Sequence, residues 1–207
     1  MKLVDIENWN RKEHFYFFTS FASPHLNIVT ELDCTLTYKR SKSEGYSFFA
    51  SYLHKSMKAI NSVKEFRYRI IEDKVYEFDT IHAGSTIARG DGTFAFGMIP
   101  FSEDFREFSN NLEQEKEAVK NSTGLRLIEE DGRFDLVRCT TLPWIRFTGI
   151  MHPTKHDRYD SVPKIAFGKM TERNDRLYLP ISVEAHHGLI DGYHISLYLD
   201  EFQRLLN

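Results

Sequence analysis

The segment VEAHHGLIDGYHI, Val183 to Ile195, sets Asp191 four residues after the second of two adjacent histidines and follows it with Gly192, Tyr193 and His194. Three chemistries suit such a pattern. The first is a metal centre on His186, His187 and Asp191, serving metal-dependent hydrolysis. Adjacent residues on a strand point to opposite faces, so the two histidines do not easily share one ion. Zinc also takes about four ligands, and the further candidates His152 and His156 fall at no ligand-like spacing. The second reading is structural: a strand ends near His187 and Asp191 caps the helix that follows. The third is general-base catalysis. A neutral imidazole with one nitrogen free can take a proton from a hydroxyl nucleophile near neutral pH. That role asks for a hydrogen bond at the other nitrogen to fix the tautomer, an aspartate to order the loop, and Gly192 to permit the turn. Spacing alone does not choose among the three.

The elements that must position these residues can be traced along the chain. NWNRKEHFYFF reads as a short helix leading into a strand or turn. HLNIVTELDCTLTY alternates apolar and polar residues through Leu26, Ile28, Leu32, Cys34 and Leu36, as a half-buried strand does. Phe49, Leu53, Met57 and Ile60 recur at helical spacing. EFRYRIIEDKVYEFD predicts two strands joined at Glu72-Asp73, and STIARGDGTFAFGMIPF two more across Asp91-Gly92. Ser102 is the expected cap of a helix with Glu103 and Asp104 in its first turn, Phe105, Phe108, Leu112 and Val119 on its inner face, and Gly124 as its stop. FDLVRCTTLPWIRFTGI and DRLYLPISVEAHH are expected strands, and GYHISLYLDEFQRLLN a closing helix. This intermixing predicts an α/β (or α+β) fold with a mixed sheet flanked by helices, in one domain over 1–207.

Bulk properties narrow the function classes. A net charge of −3, with Lys and Arg scattered, offers no basic stripe for nucleic acid. No apolar run approaches the roughly 18 residues of a membrane span. The two cysteines, Cys34 and Cys139, match no metal spacing, and a cytoplasmic setting is expected.

Four further segments and the block that contains the opening one occur in a definite order: NWNRKEHF (Asn8 to Phe15), EFRYRI (Glu65 to Ile70), GTFAF (Gly92 to Phe96), LPWIRFTG (Leu142 to Gly149) and DRLYLPISVEAHHGLIDGYH (Asp175 to His194). Together they resemble the chloramphenicol acetyltransferases, over essentially the whole chain. The His-x-x-x-Asp-Gly element is shared with other coenzyme-A-dependent acyltransferases, but the Trp-Asn-Arg-Lys-Glu-His-Phe opening is not. The resemblance implies a homotrimer with active sites at subunit interfaces, acetyl-CoA as co-substrate and no metal. His187 would be the base that deprotonates the hydroxyl of a small-molecule acceptor, chloramphenicol or a related compound, with antibiotic resistance as the associated role. Asp191 would be structural and paired with Arg11. Phe18 and Phe94 would line the acceptor pocket, and Lys169 would meet the coenzyme's phosphate.

The resemblance has gaps. The family serine that supports the oxyanion is placed at Gly149, beside Thr148, and an assisting threonine at Ala166. Loss of one oxyanion donor lowers rate by about 10²–10³. A second coenzyme-binding lysine is replaced by Ser47, and MHPTKHDRYDSVPK brings in His152, Lys155, His156 and Arg158. A second expectation follows from these gaps: a catalytically impaired, trimeric small-molecule-binding relative.

Overall fold

The computed structural model describes residues 1–127, 132–153 and 159–207. Lys155, His156 and Arg158 lie outside them. After a short strand β1 (Lys2–Leu3), helix α1 (Lys12–Thr19) carries the aromatic run FYFF. Alternation then gives strand β2 (His25–Asp33). Its expected continuation through Cys34 and Leu36 does not occur. The Asp33 carboxylate accepts the Thr35 N–H at 3.0 Å and the Thr35 hydroxyl at 2.6 Å. This local bond competes with the strand ladder and starts helix α2 (Thr35–Glu44), leaving Leu36 exposed.

Helix α3 (Phe48–Ser62) buries Leu53, Met57 and Ile60 completely, as their spacing predicts, and Ser47 caps it by accepting the Ala50 N–H. Strands β3 (Tyr68–Ile71) and β4 (Lys74–Glu77) form a hairpin at Glu72-Asp73, whose φ values of 49° and 63° are those of the tight turn that matches strand twist. Strands β5 (His82–Ala88) and β6 (Phe94–Ile99) pair antiparallel. Helix α4 (Phe105–Lys120) is capped by Asp104, not Ser102. The Ser102 hydroxyl instead receives the Asp104 N–H and donates to Glu107. The helix also stops before Gly124, at Lys120. Strand β7 (Leu136–Thr141) is shorter than expected, because Pro143 has no N–H to extend a ladder. Strands β8 (Lys164–Phe167), β9 (Thr171–Arg173) and β10 (Arg176–His186) precede helix α5 (Gly192–Leu206).

The strands form a small sheet in the order β1-β4-β3 and a large one in the order β2-β10-β8-β7-β5-β6, with β9 on β10. β5 with β7 and β7 with β8 run parallel, and the other pairs antiparallel, so the sheet is mixed. One face of the large sheet buries Ile165, Phe167, Ile181 and Val183 against Leu53 and Met57 of α3 and Tyr198 and Phe202 of α5. The opposite face is polar at its centre. Register places Asn27 beside Glu184, and Glu184 beside Lys164. Cys34 and Cys139 are both buried, and burial pushes each thiol up to about 12.

Candidate active site

The fold brings the end of β10, the start of α5, helix α1 and the start of β2 to one place. His186 ends the strand, and its carbonyl accepts the Leu189 N–H at 2.9 Å and the Ile190 N–H at 3.0 Å, closing a turn around His187. Leu189 and Ile190 are buried and anchor that turn. The glycine it needs is Gly188. A Cβ there would lie 3.0 Å from His186 Cε1 and 3.4 Å from Phe15 Cα. Gly192, expected to permit the turn, is simply the first residue of α5, with room for a side chain and no left-handed φ.

The two neighbouring histidines diverge. The His186 ring meets His25 edge-on at 5.9 Å, while His187 stacks on Phe18 with ring centroids 3.8 Å apart and planes 10° apart. Among the described residues, no three His, Cys, Asp or Glu side chains are grouped to hold a metal ion. The His187 N–H donates to the Pro24 carbonyl at 2.7 Å. Its Nδ1 is buried without a hydrogen-bond partner among the described residues, whereas Nε2 is not buried. The fixing bond expected at the second nitrogen is therefore absent among the described residues, and the Phe18 stack constrains the ring plane instead. Phe18→Ala is expected to lower the acetyl-transfer rate about 2- to 10-fold, the worth of one aromatic pair, with kcat falling more than KM rises in steady-state kinetics.

Asp191 N-caps α5, accepting the Tyr193 N–H at 3.0 Å and the His194 N–H at 3.4 Å, while His194 Nδ1 accepts the Asp191 N–H. Its other oxygen takes the Arg11 guanidinium at 2.6 Å, and Arg11 Nη2 reaches the His187 carbonyl at 3.3 Å. One arginine thus ties the cap to the histidine-bearing turn. Burial acts to raise the Asp191 pKa, but the Arg11 hydrogen bond and the nearby His194 outweigh it and hold the carboxyl below its usual value. The structural and general-base readings of the motif therefore coexist in geometry: Asp191 is a cap, and the cap orders the turn.

The family model for chloramphenicol acetyltransferase matches residues 1–203. The chain belongs to the chloramphenicol acetyltransferase family. It is therefore an acyltransferase, and the whole-chain match does not favour the non-catalytic alternative. A Staphylococcus aureus chloramphenicol acetyltransferase is 30% identical over 206 residues, covering 98% of this chain and 94% of that protein. Chloramphenicol acetyltransferase 3 of Escherichia coli is 26% identical, covering 98% of this chain and 95% of that protein. A solved chloramphenicol acetyltransferase superposes with a TM-score of 0.93 at 34% identity, covering 100% of this chain and 99% of that one. A probable dihydrolipoamide acetyltransferase from Listeria monocytogenes shares the fold, with a TM-score of 0.70 at 15% identity over 94% of this chain and 88% of that one.

Against this family background the other expected site residues scatter within the single chain. Thr148 and Gly149 are exposed in the loop after β7, and Lys169 is exposed after β8. Phe94 lines a separate cavity of about 410 Å³ with Arg89 and Leu125. None of these four hydrogen-bonds to or stacks on His187 among the described residues. Ala166 is buried, and both residues in register with it bear hydroxyls: Thr140 of β7 and Ser182 of β10. Sequence reading missed Thr140 because strand neighbours are not visible in the chain order.

It also missed a polar cluster on the sheet face below the histidines. Lys164 Nζ donates to Glu184 at 2.9 Å and lies 3.4 Å from Asp160, and His152 Nδ1 is 3.3 Å from the other Glu184 oxygen. The signal was present: charged residues at Lys164 and Glu184 inside otherwise apolar strands. Burial would raise the Glu184 pKa, but bonds from His152 and Lys164 overcome it and hold the carboxyl at about 2 instead of 4.5. A depressed carboxylate stabilises the fold above its unfolded pKa, and that stability is lost as pH falls through the folded value. Acid unfolding should therefore steepen between about pH 4.5 and 2, by on the order of 3 kcal/mol in total. Glu184→Gln should flatten that slope in urea titrations at stepped pH. An unchanged slope would remove Glu184 as its source.

Proposed function

We propose that the chain is a coenzyme-A-dependent O-acetyltransferase in which His187 is the general base. Its Nε2 takes the proton of an acceptor hydroxyl, and the oxygen attacks the thioester carbonyl of acetyl-CoA. The carbon–sulfur bond then breaks, and the departing thiolate receives the proton from the imidazolium. The observation that carries this reading is the imidazole stacked on Phe18, with Nδ1 buried and Nε2 open. Asp191 and Arg11 hold the turn and take no part in proton transfer. Thr148 would offer a hydroxyl to the oxyanion, and Lys169 a charge to the coenzyme.

A single domain over 1–207 assembles as a homotrimer in this reading, with a second copy completing each site. Support comes from the surroundings of His187, which within one chain are walled on one side by α1. The adjacent Phe17 and Phe21 are 59% and 46% exposed, an apolar patch that calls for cover. Phe94 would join the site from another copy. The acceptor is a small hydroxyl compound, chloramphenicol or a relative of it, and resistance to that antibiotic would follow from its acetylation. A cytoplasmic location fits the co-substrate, and no helix among the described residues is long and apolar enough to cross a membrane.

The test is thiol release from acetyl-CoA with a panel of hydroxyl acceptors, with and without chloramphenicol. Release that depends on an acceptor is the expected result. Ligand binding without release for every acceptor would leave the impaired binding relative as the better account.

A further inference from the structure

The segment EFRYRI, so far a matter of fold alone, meets the first turn of α5 beside the histidine-bearing turn. Its first three residues lie in a 3₁₀ turn (Lys64–Arg67) between α3 and β3. Phe66 fixes that turn to α5, being fully buried with its ring 5.1 Å from that of Tyr198. Tyr68 fixes it to the N-terminal segment, meeting Trp9 edge-on at 5.4 Å. Glu65 is thereby held toward the start of α5, where its carboxylate lies 3.7 Å from His194 Nε2.

Both nitrogens of His194 are engaged, and its side chain is only 11% exposed. Nδ1 accepts the Asp191 N–H at 3.2 Å and lies 2.8 Å from Asp191 Oδ1. A bare Nδ1 serves the N–H, and a protonated one serves the carboxylate. In either state the Glu65 carboxylate favours a proton on Nε2, because a bare nitrogen there would turn its lone pair toward a negative charge. The ring therefore bridges two carboxylates. One of them, Asp191, gives its other oxygen to Arg11, and Arg11 reaches the His187 carbonyl. We propose that His194 and Glu65 are positioning residues for His187, acting through Asp191 and Arg11. The inference rests on the general-base reading of His187. Neither side chain hydrogen-bonds to or stacks on His187 among the described residues, so each acts at one remove.

The experiment is steady-state thiol release by the full-length protein, paired with the nuclear magnetic resonance signal of the His187 Cε1–H, assigned by its loss in His187→Ala. His194→Leu should lower kcat about tenfold, roughly what one hydrogen bond contributes, with KM for both substrates changed by less than about twofold. Glu65→Ala should lower kcat about 2- to 10-fold in the same manner. His194→Gln keeps a side chain able to close the capping box and should recover part of kcat. In the His187→Ala background both losses should vanish, because no base is left to position. A purely structural role would lower the thermal midpoint and leave kcat per folded molecule unchanged. That result, or equal losses in both backgrounds, would overturn the proposal. If His194→Leu does not fold, Glu65→Ala, at a partly exposed position, gives the same comparison. The resonance keeps the two readings apart. Wild-type turnover by His187→Ala would remove the general base, whereas a His187 signal unmoved in His194→Leu and Glu65→Ala would overturn the positioning whatever the turnover.

Discussion

His187→Ala should lower kcat/KM for acetyl transfer by about 10²–10⁴-fold, the usual contribution of a positioned general base. The loss should appear chiefly in kcat, because a general base, the role proposed for this ring, acts on the reacting hydroxyl and not on the bulk of the substrate. Folding should survive. The His187 backbone N–H bonds Pro24 and its carbonyl receives Arg11, and neither contact uses the side chain. The decisive comparison is thiol release against the thermal midpoint of the same variant. Wild-type turnover on the best acceptor would mean that some other group accepts the proton. A collapsed midpoint would mean that the ring is structural, and His187→Asn would then separate the two roles.

Arg11→Leu should destabilise the chain by about 3 kcal/mol, the lower end of what removing one member of a buried ion pair costs. The lower end applies because the Asp191 side chain is 28% exposed, so water offsets part of the stranded charge. For a chain of this size the thermal midpoint should fall by about 6–12 °C. Turnover should fall with it, since the same guanidinium bonds the His187 carbonyl. A double variant, Arg11→Leu with Asp191→Asn, should recover part of the loss, because the amide still caps α5 without leaving a buried carboxylate unpaired. Additive losses in that cycle would show that the pair is not coupled. Holding Asp191 below its usual pKa also sets a sign: the pair's stabilisation is present at neutral pH and fades in acid.

Much of this molecule was legible in its sequence wherever the information is local. Leu53, Met57 and Ile60 announce α3 by spacing, Glu72-Asp73 announces a hairpin by its tolerance of left-handed backbone, and Asp191 announces a helix start by its side chain. Errors arose where two local options compete within a residue or two, as with Asp104 over Ser102 and Thr35 turning β2 into a helix. The resemblance added Arg11, whose bond to Asp191 spans 180 residues and follows from no pattern near either one.

What only the tertiary structure decided is which side chains meet across elements. Phe18 covers His187, Glu184 lies between Asn27 and Lys164, Thr140 stands beside Ala166, and Gly188, not Gly192, is the glycine that the turn needs. The physical reason is register. Backbone preference acts over a few neighbouring residues, whereas a slip of one residue between paired strands would exchange every inward side chain for an outward one. Order along the chain carries the first kind of information, and packing of the whole chain settles the second.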